Sequence, residues 1–133
     1  MLTEKAKTIA VNLLVIAIIM LFMIWGNTWW RQRTQFNKGE KALAERNYIA
    51  ALAGYEAAIH MYTPGSSLVE RSAQRLWDMG NSLEQATNPN QALVAYRALR
   101  SAFYSTHGLV RPGEEWIARC DARIAEILKR QGY

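Results

Sequence analysis

The stretch Phe36–Pro64, FNKGEKALAERNYIAALAGYEAAIHMYTP, decides the fold. It predicts one helix from about Gln32 to Glu45, a stop at Arg46-Asn47, and a second helix from Tyr48 to Tyr62 that ends at the breaker Thr63-Pro64-Gly65. Gly39, Ala51, Tyr55 and Ala58 stand at offsets 0, 12, 16 and 19, and Gly80, Ala92, Tyr96 and Leu99 stand at the same offsets further on. Glycine inside a helix costs roughly 1 kcal/mol relative to alanine. Its presence twice in one register calls for a packing cause: a small residue on the first helix lets its partner approach, the alanine faces it, and the aromatic fills the gap toward the next pair.

Outward from this stretch the chain reads as helices with short breaks, and no run of alternating β-branched residues is long enough for a strand. Ser67-Leu68-Val69-Glu70 has the spacing of a capping box and opens a helix to about Ala86. Asn88-Pro89 places a cap before a first-turn proline and starts a helix to about Ser105. His107-Gly108 ends it. Pro112-Gly113-Glu114-Glu115 opens a last helix to about Arg130, its acidic first turn and basic Lys129 and Arg130 matching the helix dipole.

The segment from Phe36-Asn37-Lys38-Gly39 through Asn47-Tyr48 to Tyr55, Ala58 and Pro64 resembles the tetratricopeptide repeat, a unit of 34 residues. A second unit, about 73–106, shares Gly80, Ala92 and Tyr96 but has Leu99 where the family has Ala and Tyr104 where it has Pro; about seven extra residues near Thr63 to Arg71 separate the two. The resemblance implies repeat one at about 32–65, repeat two at about 73–106 and a capping helix at about 112–130. It further implies an inner groove lined by the first helix of each pair, formed by Arg33, Phe36, Glu40 and Leu43 and by Gln74, Trp77, Asn81 and Glu84. Family members that clamp an acidic C-terminus carry Lys and Asn where Phe36 and Glu40 stand here. Only Asn81 keeps that pattern, so the expected ligand is a helix or an extended segment in a mixed apolar and polar groove. Packing against a neighbouring helix is the competing role for Phe36 and Trp77.

Toward the N-terminus, Ile9 to Trp25 (IAVNLLVIAIIMLFMIW) is interrupted by a single polar residue, Asn12. About 20 apolar residues span a bilayer core as a helix. A span from about Thr8 to Trp30 places Trp25, Trp29 and Trp30 at the membrane interface. WGNTWWRQR offers no small-residue cleavage site of the kind that ends a signal peptide, so a retained single-pass anchor is expected over 1–30, with the repeat domain over 31–133. Asn12 either bonds a neighbouring transmembrane helix or faces lipid. Counting Lys and Arg near the span favours a cytoplasmic domain, whereas keeping the charged tail of Lys5 and Lys7 inside favours an exported one. The expectation adopted is a bacterial inner-membrane protein with a periplasmic domain.

Past Trp30 the chain has fourteen Lys or Arg against ten Asp or Glu, interspersed. No like-charge block marks a nucleic-acid partner; Arg31, Arg33, Lys38 and Lys41 suit anionic headgroups instead. Cys120 is the single cysteine, which excludes an internal disulfide. Neither His60, His107 nor Cys120 has a partner at metal-ligand spacing, and Glu114 and Glu115 point to different sides of a helix. No phosphate loop or nucleophile elbow is present. The sequence therefore predicts an all-α, non-enzymatic membrane protein without cofactor, metal or small-molecule substrate. Its expected partners are the lipid bilayer, integral membrane proteins and a docked protein or peptide. The expected role is an accessory or scaffold subunit of a membrane complex; the alternatives are a tethered receptor or chaperone-like module and, only with a reactive Cys120, an enzyme.

Overall fold

A computed structural model describes residues 3–62, 66–108 and 111–132. The breaker Thr63-Pro64-Gly65, and with it the repeat-matching Pro64, lies outside the described residues. Five helices follow one another: α1 (Glu4–Ala44), α2 (Tyr48–His60), α3 (Leu68–Gln85), α4 (Pro89–Ser105) and α5 (Glu114–Arg130). No strand occurs among the described residues. α1 packs on α2, α3 on α4 and α4 on α5, while α2 also meets α3 and α4, so the pairs stack around one core. Tyr55, Ile59, Leu76, Tyr96, Leu99, Phe103 and Ile127 are among its largest fully buried side chains.

The apolar N-terminal stretch and the first helix of the domain are one unbroken helix of 41 residues. The expected division at 30/31 therefore falls inside a helix rather than at a break. Good helix formers continue across it, and no proline interrupts the ladder. α1 is long and apolar enough to cross a membrane, and none of its most apolar window is buried. Thr8, Thr28 and Thr34 each turn their hydroxyl back to the carbonyl four residues earlier, so these polar groups need no outside partner.

The glycine register has a direct cause. A Cβ on Gly39 would lie 2.9 Å from the Tyr55 ring, and one on Gly80 would lie 2.5 Å from the Tyr96 ring. The tyrosines thus sit on the glycines of their own pair rather than only reaching for the next. The closest backbone approach is made elsewhere, at Gly54, where a Cβ would meet Gly39 N at 2.6 Å and Gly39 Cα at 2.8 Å. Ala95 occupies the matching place in the second pair and is fully buried.

Both first helices end alike. Arg46 and Thr87 are left-handed, with φ of 59° and 58°. The next residues, Asn47 and Asn88, donate their backbone N–H to the Ala42 and Leu83 carbonyls at 2.8 and 2.9 Å, closing a Schellman-type turn. Each asparagine then caps the following helix, Asn47 accepting from Ala50 N and Asn88 from Gln91 N. The capping box expected at Ser67 does not form: its side chain makes no cap bond. Ser66 takes that place, its Oγ accepting from Leu68 N at 3.3 Å, and the Glu70 carboxylate instead accepts from Trp116 Nε1 at 3.0 Å, tying α3 to α5.

Candidate functional site

The eight residues expected along the groove divide into two clusters and three outlying positions. In the first cluster Phe36 is buried and packs on Tyr55, ring centroids 5.7 Å apart and planes tilted by 60°. The Tyr55 hydroxyl donates to Glu40 Oε1 at 2.7 Å. α3 closes the cluster with two arginines one turn apart. Arg71 lies over the Phe36 ring at 4.8 Å, and Arg75 donates to Glu40 Oε1 at 2.7 Å.

The second cluster repeats the plan one pair further on. Half-buried Trp77 packs on Tyr96 at 5.1 Å, and the Tyr96 hydroxyl reaches Asn81 Oδ1 at 2.7 Å and Glu84 Oε1 at 2.8 Å. α5 supplies the arginines: Arg119 sits 4.4 Å over both Trp77 and Trp116, and Arg123 pairs with Glu84 at 2.9 Å. Arg130 reaches the other Glu84 oxygen at 3.1 Å. The arginine pairs Arg71/Arg75 and Arg119/Arg123 thus recur in one register, α3 closing the first cluster and α5 the second. Their shared four-residue spacing was the available sequence signal.

Electrostatics follow from this wiring. Burial works to raise the Glu40 carboxyl, but hydrogen bonds from Arg75 and Tyr55 outweigh it and hold Glu40 below its ordinary range. Burial, with the Glu84 carboxylate adding to it, pushes the Tyr96 phenol up to about 12. In both clusters the carboxylates and tyrosine hydroxyls find partners within the stack, Glu40 with Tyr55 and Arg75, Glu84 with Tyr96, Arg123 and Arg130. Of the others, Leu43 packs partly buried against the core and Gln74 bonds Asp78 on its own helix. Arg33 lies over the Trp29 ring at 5.5 Å.

An apolar hollow of about 480 Å³ opens elsewhere, between the start of α2, the end of α3 and α4. Tyr48, Ile49, Leu52, Met79, Leu83 and Val94 line it. Ile49 is 83 % exposed and Val94 53 %, so two aliphatic side chains face water at its mouth. These residues lie off the glycine–alanine–tyrosine stripe, and the sequence reading passed over them. Their signal was the presence of Ile and Val on helix faces that the stripe leaves free.

The remaining chemistry-bearing residues lie apart. Cys120 is buried, and burial pushes its thiol up to about 12, which keeps it protonated and poorly nucleophilic at neutral pH. His60 is exposed at the end of α2, and His107 packs edge-on to Tyr104 at 5.5 Å. No group of three metal-ligating side chains occurs among the described residues. Trp25, Trp29 and Trp30 are exposed on α1 by 50, 38 and 66 %. Asn12 is exposed with no side-chain partner among the described residues.

Compared with protein-family models, curated proteins and solved structures, the chain matches none.

Proposed function

We propose that this chain is a non-catalytic accessory or scaffold subunit of a bacterial membrane complex, anchored by the N-terminal part of α1 and docking partner proteins through a tetratricopeptide-like domain. The observation that carries the reading is the unbroken α1: a membrane-length apolar segment with no buried face runs straight into the helix that contributes Gln32, Phe36 and Gly39 to the core. A flexible tether would suit a module that searches for clients. A rigid rod instead fixes the domain against the membrane and against whatever packs on the rod. Trp25, Trp29 and Trp30 provide an interfacial belt, and Asn12 offers a polar contact to a neighbouring span. The continuity of α1 also argues for a retained anchor over a cleaved leader. A periplasmic placement of the domain is part of the proposal.

The apolar hollow at Tyr48, Ile49 and Val94 favours a second reading, a membrane-tethered receptor or chaperone-like module that takes an apolar segment. Purification of the tagged full-length chain at native levels in mild detergent, with mass analysis of what accompanies it, separates the two. The expected result is one or two integral membrane proteins at fixed ratio. A chain that purifies alone, or with a scatter of soluble clients, overturns the subunit reading.

A further inference from the structure

Two hollows and an open apolar patch lie end to end along one face of α1. The first, about 360 Å³, lies between α1 and the start of α3 and is lined by Trp29, Arg33, Phe36, Ser66, Ser67 and Arg71 among others. The second, about 250 Å³, is formed by Trp25, Gly26, Trp29 and Ser66. The third is an open apolar patch of Ile18, Leu21, Phe22 and Trp25 on the exposed face of α1. Trp29 and Ser66 belong to both the first and the second, and Trp25 to both the second and the third. Spacings of three and four residues keep Phe22, Trp25, Trp29 and Arg33 on one helix face. The result is a trough that is cationic at the domain end, ring-walled in the middle and aliphatic at the membrane end.

The charge at the polar end is uncompensated. No Asp or Glu lines the first hollow. Arg33 and Arg71 have no ion pair among the described residues, unlike Arg75, Arg100, Arg123 and Arg130. Arg71 does act on Glu40 through space, but that carboxylate is already taken by Arg75. Each guanidinium rests one face on a ring, Trp29 or Phe36, and keeps its N–H fork for an anion.

We infer that this trough binds one anionic phospholipid of the surrounding bilayer, its phosphate between Arg33 and Arg71 and one acyl chain along Trp25 and Phe22. The inference rests on the reading of α1 as a membrane anchor. Arg33 stands one turn past Trp29, where a headgroup phosphate lies beyond an aromatic belt. A free phosphate would occupy the first hollow alone and leave the apolar remainder of the trough unexplained. Gly26 is the neck of the trough: a Cβ there meets nothing within 4 Å, so a side chain fills the neck without disturbing the fold.

Native mass spectrometry of the full-length chain in detergent tests this, with titration of dioleoyl phosphatidylglycerol against dioleoyl phosphatidylcholine. The expected result is one retained phosphatidylglycerol, held about tenfold more tightly than phosphatidylcholine. The double variant Arg33→Gln/Arg71→Gln loses the preference, and Gly26→Leu weakens retention of both lipids. Equal retention of the two lipids, an unchanged preference in the double variant, or displacement by stoichiometric inorganic phosphate overturns the site. Flotation with neutral vesicles separates the two ways of failing. A chain that floats without lipid preference lacks the site alone, whereas one that does not float lacks the anchor on which the site depends.

Discussion

Gly54 of α2 stands directly on Gly39 of α1, so close that a Cβ on Gly54 would reach Gly39 N at 2.6 Å and Gln35 O at 2.9 Å. The obstacle there is helix backbone, which cannot rotate away. At Gly80 the obstacle is the Tyr96 ring at 2.5 Å, and at Gly39 it is the Tyr55 ring at 2.9 Å. Alanine gains roughly 1 kcal/mol of helix propensity at any of these positions, against about 1–3 kcal/mol for overpacking. The expected order of destabilisation is therefore Gly54→Ala, then Gly80→Ala, with Gly39→Ala near neutral. Denaturant midpoints read by tryptophan fluorescence measure it; a Gly54→Ala variant as stable as the parent would refute the backbone contact.

Arg46 and Thr87 occupy the left-handed region that a glycine would adopt without strain. That conformation costs an L-residue roughly 1–2 kcal/mol, and more for a β-branched side chain. Thr87→Gly is expected to stabilise the domain by about 1 kcal/mol net, raising Tm by about 4–8 °C for a domain of this size. Arg46→Gly gains less. Thermal scans in detergent decide the matter, and a lower Tm for both variants would count against the turn geometry.

Gln32 is fully buried on α1 and bridges two other segments. Its Nε2 donates to the Ala58 carbonyl at 2.9 Å, and its Oε1 accepts from Ser66 Oγ at 2.6 Å. The Ala58 carbonyl is one of those that the end of α2 leaves without a helical partner. Gln32→Leu keeps most of the volume and strands both groups, at an expected cost of about 1–3 kcal/mol. Hydrogen exchange localised to the end of α2 reports the loss; unchanged protection there would show that the bridge is idle.

Two carboxylates respond to acid in opposite directions. Glu40 titrates below its ordinary value in the folded chain, so it contributes stability that is present above the unfolded value near 4.5 and lost as pH falls through the folded one. Glu56 is raised by burial, with His60 opposing, so protonation favours the folded chain and its ionised form weighs against folding at neutral pH. Glu40→Gln should flatten the fall of stability below about pH 4.5, whereas Glu56→Gln should raise stability at pH 7. Unfolding midpoints from pH 3 to 7 test both signs.

How much of this was legible beforehand depended on repetition. Gly39 and Gly80 announce themselves because a matching Tyr follows each at the same distance, and the asparagine caps at Asn47 and Asn88 share that register. Gly54 does not, because its counterpart is Ala95 and no pattern repeats. The reading of Glu40, Asn81 and Glu84 as groove residues could not show the arginines that face them. Arg71, Arg75, Arg119 and Arg123 come from helices later in the chain, and only the stacking of α3 and α5 brings them across. Ser67 had the right spacing for a cap, yet Ser66, drawn to buried Gln32, took the role.

The continuity of α1 has a geometric corollary. Each residue of a helix turns it by about 100° and lengthens it by about 1.5 Å. With α1 as the proposed anchor, the azimuth of the domain about the membrane normal is phase-locked to the face of the apolar segment. Inserting one alanine between Trp30 and Gln32 would swing the domain through more than a quarter-turn relative to the apolar segment while leaving the contacts among α2 to α5 intact. Inserting seven, close to two full turns, would restore the bearing and only lift the domain by about 10 Å. An unbroken helix of this kind passes orientation from one end to the other as a keyed shaft does.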